Sequence, residues 1–165
     1  MPSSIRTRTD ARSKGIFVGY RGFQSRSVEP LFPFGFGLSY TQFSYEDLEI
    51  SNIDGEGKFI VCFTVQNSGD LDGREVAQVY ISDEEASLPK AQRELKGFTK
   101  VMLKSGERTR VEIKLDRDAL AFFDTRQGSW VAEKGKFGVL VGKSSSDVVL
   151  RGEVELEHTL RWTGL

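Results

Sequence analysis

The chain has 165 residues and a formal net charge of −1, so it lacks the basic surface typical of nucleic-acid-binding proteins. A single cysteine, Cys62, and a single histidine, His158, exclude an internal disulfide and any metal site built on several such ligands. No run of about eighteen apolar residues is present, and the start lacks the apolar core of a signal peptide. We therefore expect no cofactor, no metal, no nucleic-acid partner and no membrane partner. The expected compartment is the cytoplasm for a complete chain, and secretion is open for a fragment of a longer one.

Residues 1–42 are predicted to form a disordered arm followed by an interdomain linker, because the first fifteen residues are polar and basic. An aromatic segment, residues 31–43 (LFPFGFGLSYTQF), closes this region. It follows neither a helical nor a strand period. Pro33 restricts the backbone of Phe32, while Gly35 and Gly37 permit angles that side chains forbid. The segment is therefore predicted to be extended and irregular, with one particular shape.

Aromatic side chains bury about 150–250 Å² each when packed, so a loop rich in them is costly to leave in water. The segment either caps the core of its own domain or docks on another body, and clustered aromatics with an arginine are typical of interfaces. The docking alternative predicts an exposed apolar patch in the isolated chain. The candidate interdomain interface consists of Tyr20, Arg21, Phe32, Phe34, Phe36 and Tyr40.

Residues 43–157 alternate apolar and polar side chains in short runs separated by turns that contain glycine. The clearest runs are 58–67 and 108–115, and residues 116–121 are predicted to form one helical turn with Asp116 as N-cap. This pattern predicts an all-β fold, an antiparallel β-sandwich of seven to eight strands of the immunoglobulin or fibronectin type III kind. Residues 158–165 are predicted to be a tail.

The sequence contains only partial matches to motifs for phosphate binding, catalysis or metal binding. Residues 141–144 (VGKS) resemble part of a phosphate-binding loop, but Phe137 stands where that motif needs glycine, so a structural turn is favoured. The carboxylates of residues 70–72, 83–85 and 116–124 lie in turns and polar loops, where capping and solvation are more common than catalysis. A weak calcium site at residues 67–72 lacks the ligand spacing of a twelve-residue loop. We name no catalytic, cofactor-binding or metal-binding residue.

A series of motifs occurs in order along the chain: Gly19–Arg21, Glu29–Thr41, Asn67–Asp70, Gln78–Tyr80, Arg93–Val101, Gly135–Phe137 and Val141–Asp147. The series resembles the C-terminal fibronectin type III-like domain of glycoside hydrolase family 3 β-glucosidases, over about residues 15–156. The resemblance implies a catalytic aspartate and a catalytic glutamate on two upstream domains. It also implies that the aspartate stands in a Ser-Asp-Trp context, which is missing around Trp130 and Trp162.

The resemblance therefore predicts a non-catalytic accessory domain, a truncated or split product that is inactive alone. It would brace the catalytic domains of a β-glucosidase, in cis in the full-length enzyme or in trans, during β-glucoside hydrolysis. Two alternatives stay open. One is a free-standing β-sandwich that binds carbohydrate or protein, with Trp130, Tyr80 and the 32–40 aromatics as candidate contacts. The least favoured is a complete enzyme using loop carboxylates such as Asp83 and Glu84.

Overall fold

The computed structural model describes residues 15–83 and 85–164. Two short helices and ten strands follow one another in the described residues. The helices are α1 (Tyr20–Ser25) and α2 (Arg117–Leu120). The strands are β1 (Phe43–Ile50), β2 (Phe59–Asn67), β3 (Gly73–Ser82), β4 (Glu94–Leu103), β5 (Arg108–Leu115), β6 (Phe122–Asp124), β7 (Ser129–Ala132), β8 (Gly135–Gly142), β9 (Val148–Leu156) and β10 (Leu160–Trp162).

Seven of these strands form the predicted sandwich, so the all-β fold class is confirmed. One sheet has the order β1-β2-β5 and the other β4-β3-β8-β9, with antiparallel neighbours throughout. The inward-facing residues of both sheets form a single core that includes Phe63 of β2, Val79 of β3 and Phe137 of β8, each at most 1 % exposed. The two-residue period of the strands places one face of each in this core, while the other face is in solvent or, for the middle of β3, also buried.

The remaining strands form a small antiparallel sheet of order β10-β7-β6, which the sequence pattern did not predict. Leu160–Trp162, in the predicted tail, pairs with β7 and places Trp162 under the guanidinium of Arg117, 4.4 Å from the ring centroid. A cation over an indole face is a favourable contact. The end of the described chain therefore packs against the sandwich.

The sequence predicts one of the two helices and not the other. Asp116 caps α2 as predicted, accepting a hydrogen bond from the Asp118 amide at 3.0 Å. Helix α1 lies inside the predicted linker and was missed, since it has six residues, no capping side chain and a glycine at its centre. Within the described residues, neither helix is long and apolar enough to cross a membrane. The predicted disorder of residues 1–14 lies outside the described residues.

Asn67, at the end of β2, joins the aromatic segment to the sandwich. Its buried side chain donates to the carbonyls of Leu71 (2.8 Å) and Leu103 (3.1 Å) and accepts from the Thr41 hydroxyl (2.6 Å). Every hydrogen-bonding group of that amide therefore points at backbone or at the end of the segment. This arrangement fixes where the segment enters β1.

Candidate docking surface

The aromatic segment crosses the outer face of the four-stranded sheet and is fastened there through its backbone. The Phe34 carbonyl accepts a hydrogen bond from the Ser145 amide at 2.8 Å, in the turn between β8 and β9. The Gly35 carbonyl accepts from the Gln78 side chain at 3.2 Å, and the same amide group donates to Lys143 at 2.6 Å. Gly35 has φ +81°, and a Cβ there would clash with the Gln78 side chain. Only glycine permits this close approach.

The side chains of the segment, in contrast, point largely into solvent. Phe32 is 66 % exposed, Phe34 48 %, Phe36 47 % and Tyr40 97 %. The neighbouring aliphatic side chains Leu31 and Leu38 are also exposed. We call the six exposed side chains the apolar strip: Leu31, Phe32, Phe34, Phe36, Leu38 and Tyr40. A backbone held in one conformation therefore presents apolar side chains that the described chain does not cover.

Helix α1 supports one side of the strip. The Tyr20 ring stacks on Phe34 with centroids 4.8 Å apart, and its hydroxyl accepts a hydrogen bond from the Leu95 amide at 2.9 Å. Arg21 forms an ion pair with Glu94 at 3.2 Å. Gly22 is buried, and a Cβ there would clash with the Phe17 carbonyl, so the helix needs glycine at this position. The helix is thus docked on the start of β4, with Tyr20 and Arg21 directed at their own domain.

The structure brings four of the six predicted interface residues into two ring contacts, pairs Arg21 with Glu94 and leaves Tyr40 apart. Tyr20 contacts Phe34, and the rings of Phe32 and Phe36 lie 5.4 Å apart. Tyr40 stands almost wholly in solvent. Their joint role as an interface stays a prediction.

Sequence reasoning missed two exposed apolar residues on β4, Phe98 (69 % exposed) and Met102 (55 % exposed). Phe98 lies opposite Gln78, whose side chain holds Gly35, so it borders the segment on the same outer face. The signal was present in the strand parity: Gly97, the neighbour of Phe98, faces Ile113 across the sandwich. A large apolar side chain on the outward parity of a strand is a candidate contact.

A groove of about 640 Å³ opens between the aromatic segment, the first half of β3 and the 143–147 turn. Phe36 lines one side, and Glu75, Lys143 and Asp147 supply charges. Burial raises the pKa of Glu75, with a smaller contribution from the charge of Asp147. Tyr45 lies close by: its buried hydroxyl has no hydrogen-bond partner in the described chain, and burial, then Glu75 and Asp147, raise its pKa.

The other candidate motifs have structural roles. In the VGKS turn, Lys143 donates to the Phe43 carbonyl at 2.7 Å and the Ser144 hydroxyl accepts from the Asp147 amide at 3.0 Å. These hydrogen bonds hold the turn, which a β-strand follows. Asp83 pairs with Lys90 at 3.0 Å, while Glu84 lies outside the described residues. Across residues 15–83 and 85–164, no group of three histidine, cysteine, aspartate or glutamate side chains is placed to hold a metal ion.

Two of the aromatics considered for carbohydrate contact are engaged in the fold. Tyr80 is fully buried, and its hydroxyl donates to Gln78 at 2.6 Å. Trp130 packs edge-on against Phe123 with centroids 5.4 Å apart. The exposed aromatic surface on this face is therefore that of the strip, with Phe98 beside it.

Comparison with known proteins agrees with this architecture. A family model described as a fibronectin type III-like domain matches residues 75–145. The chain is 41 % identical over 150 residues to thermostable β-glucosidase B of Acetivibrio thermocellus, covering 90 % of this chain and 20 % of that protein. It is 44 % identical over 145 residues to β-glucosidase BoGH3A of Bacteroides ovatus, covering 87 % of this chain and 19 % of that protein.

Solved structures give the same result. β-Glucosidase from Kluyveromyces marxianus, in complex with glucose, superposes with a TM-score of 0.87 at 39 % identity, over 93 % of this chain and 18 % of that one. β-Glucosidase 3B from Thermotoga neapolitana superposes with a TM-score of 0.85 at 36 % identity, over 92 % of this chain and 21 % of that one.

The chain therefore spans about a fifth of the length of these relatives, in each of which the matched region is part of a longer β-glucosidase. The resemblance seen in the sequence motifs is confirmed. Residues 75–145 match the fibronectin type III-like domain family, in a chain whose relatives are family 3 β-glucosidases.

Proposed function

We propose that this chain is a non-catalytic accessory domain that braces the catalytic part of a β-glucosidase by docking the apolar strip on it. One observation carries the proposal: the backbone of the strip is fixed by hydrogen bonds to Ser145 and Gln78, while its side chains remain exposed. A segment that served only to cap its own core would turn those side chains inward. The catalytic part would lie in cis in a full-length enzyme or in trans as a separate chain.

The size of the strip supports a protein partner. Fully packed aromatic side chains bury about 150–250 Å² each, so the exposed fractions of its four aromatics leave on the order of 500 Å² open. Contiguous apolar patches of a few hundred Å² or more mark interaction sites on soluble proteins. Leu31, Leu38 and the adjacent Phe98 enlarge the patch towards the roughly 800 Å² that each partner contributes to a standard interface.

The test compares the isolated chain with a chimera. In the chimera, this chain replaces the matched region of the Acetivibrio relative. Phe32→Ser and Leu38→Ser should leave the melting temperature of the isolated chain within about 1 °C, because Phe32 is 66 % and Leu38 92 % exposed in that form. In the chimera the same substitutions should lower the melting temperature by more than about 5 °C, since they remove buried apolar contacts. The β-glucosidase activity of the chimera should fall as well.

Phe123→Ser is the matched control, because Phe123 is 46 % exposed but packs against Trp130 in the small sheet. It should shift both forms equally. Strip variants that leave the chimera unaffected, relative to this control, would contradict the docking proposal. Turnover of an aryl β-glucoside by the purified isolated chain that disappears in Glu75→Gln would contradict the non-catalytic assignment.

Carbohydrate binding is a second candidate function, favoured by the 640 Å³ groove. Its volume suits a mono- or disaccharide, and it combines an aromatic ring, Phe36, with the carboxylates of Glu75 and Asp147. Carboxylates accept hydrogen bonds from hydroxyl groups without needing a charged ligand. Calorimetric titration with cellobiose should show binding that Asp147→Asn removes and Asp70→Asn, at an exposed turn, leaves intact. No heat at millimolar ligand would remove this candidate.

A further inference from the structure

A second groove, of about 730 Å³, lies on the outer face of the same four-stranded sheet and is lined by residues outside the aromatic segment. Its floor is formed by Ser82 of β3 with Gly138 and Leu140 of β8. Gly138 lies opposite Ser82, and a Cβ at Gly138 would clash with the Ser82 hydroxyl. The absence of a side chain there leaves the middle of the sheet low between its two edges.

Two arginines line this groove from opposite edges of the sheet. Arg93 immediately precedes β4, while Arg151 lies in β9, opposite Leu140. Neighbouring strands are about 4.8 Å apart, so β4 and β9, with two strands between them, are about 14 Å apart, and both arginine side chains line the groove over that span. Their proximity has an electrostatic consequence: burial, and then the charge of Arg151, lower the pKa of Arg93.

Neither arginine has a carboxylate partner within 4 Å in the part of the chain that the structure describes. The two carboxylates that line the groove are paired with lysines instead. Asp83 lies 3.0 Å from Lys90, and Glu153 lies 3.9 Å from Lys136. Placing two guanidinium groups together, one of them half-buried, is unfavourable unless an anion joins them.

The position of the groove indicates the source of that anion. The groove adjoins α1, because the Gln92 side chain on its wall donates to the Gln24 carbonyl at 3.3 Å. Through α1 it is continuous with the apolar strip. We propose that the Arg93–Arg151 groove receives a carboxylate side chain from the catalytic part that docks on the strip. The proposal rests on the docking function proposed above. Guanidinium groups suit this task because their donors match both oxygens of a carboxylate.

The first test compares the change in melting temperature caused by one substitution in the isolated chain and in the chimera, where different signs are expected. In the isolated chain, Arg151→Gln removes repulsion, so the melting temperature should stay unchanged or rise. In the chimera it removes an ion pair, so the melting temperature should fall by about 2–4 °C. Arg161→Gln is the control, since Arg161 bonds Gln127 beside the small sheet and should act alike in both forms.

An equal change in melting temperature for Arg151→Gln in both forms would overturn this inference. The docking function would still stand if the strip variants lowered the melting temperature of the chimera alone. Loss of the strip effect would overturn the docking function separately.

The second test needs no partner. Isolated chain is titrated with glutarate, a mimic of an acidic side chain, at constant ionic strength while the Nε–H NMR signals of the arginines are followed. Arg93 and Arg151 should shift saturably, and Arg151→Gln should abolish the shift at Arg93. Absence of any shift would overturn the proposal. So would inorganic phosphate binding at far lower concentration than glutarate, which would identify a site for small phosphorylated ligands.

Discussion

The sandwich core and the aromatic segment use the same residue type in opposite ways. Phe59, Phe63 and Phe137 are at most 2 % exposed and hold the two sheets together by packing. Phe32 and Phe36 are about half exposed or more, and their segment is held by backbone hydrogen bonds. The difference shows that aromatic content alone does not distinguish a core from a surface. What distinguishes them is whether side chain or backbone supplies the attachment.

The largest effect should come from truncating a core aromatic. Phe63→Ala removes a ring that is 0 % exposed and stacks on Tyr45, with centroids 6.0 Å apart. We expect the free energy of unfolding to fall by about 3–5 kcal/mol, because the lost burial and the cavity add. Urea denaturation of both proteins measures it. Phe32→Ala is the counterpart in the strip and should cost less than about 0.5 kcal/mol. Equal losses would break the comparison.

The join between the two regions should be nearly as sensitive. Asn67→Ala removes a buried hydrogen bond to the Leu103 carbonyl, a part-buried one to the Leu71 carbonyl and the acceptor of the Thr41 hydroxyl. Each unsatisfied buried polar group costs about 1–3 kcal/mol, so we expect a loss of about 2–4 kcal/mol in urea denaturation. Asn52→Ala, at an exposed loop position, should stay within about 0.5 kcal/mol of the parent. A loss at Asn67 no greater than at Asn52 would show that the join is unimportant.

Backbone attachment of the segment can be tested at its glycines. Gly35→Ala introduces a Cβ at φ +81° that clashes with the Gln78 side chain, so we expect a loss of about 1–2 kcal/mol. Faster hydrogen exchange at the Ser145 amide should accompany it, because that amide donates to Phe34. Gly37→Ala is the matched control, since a Cβ there meets nothing within 4 Å. Similar behaviour of the two variants would mean that the segment is not fixed by this contact.

Much of the sandwich could be predicted from the sequence because strand parity is a local signal. Val61, Phe63 and Val65 alternate with Cys62, Thr64 and Gln66, and the structure buries all three members of the apolar set. Asp116 likewise carries its capping signal within two residues of the amide it binds. Signals carried by residues close together in the sequence can therefore be interpreted before the tertiary structure is known.

The rest depended on contacts between distant parts of the chain. Helix α1 is stabilised by Tyr20 and Gln24, and the latter donates to Ser145, 121 residues away. The small sheet depends on Trp162 and Arg117, which no spacing rule connects. For the candidate site, the sequence identified the exposed aromatics. It missed Phe98, because Phe98 lies beside the segment only through the pairing of β4 with β3.

The smallest expected effect concerns acid stability at the edge of the small sheet. The Arg126 amide donates to the buried Asp124 carboxylate at 2.9 Å and holds its pKa below the usual value of 3.8, helped by the Arg126 charge. The folded state therefore binds this proton less readily than the unfolded state. The stabilisation is fully present above pH 3.8 and is lost as the pH falls through the lower, folded-state pKa.

Asp124→Asn removes the titrating group, so the difference in stability between parent and variant should be constant at neutral pH and shrink below about pH 4. Thermal unfolding between pH 2 and pH 7 measures it, with Asp70→Asn at an exposed turn as the control. A difference that stays constant down to the lowest pH would show that Asp124 acts through its shape and hydrogen bonds alone. Asp124→Asn should leave the packing of the sandwich core unchanged, because Asp124 lies in β6, outside both sheets of the sandwich.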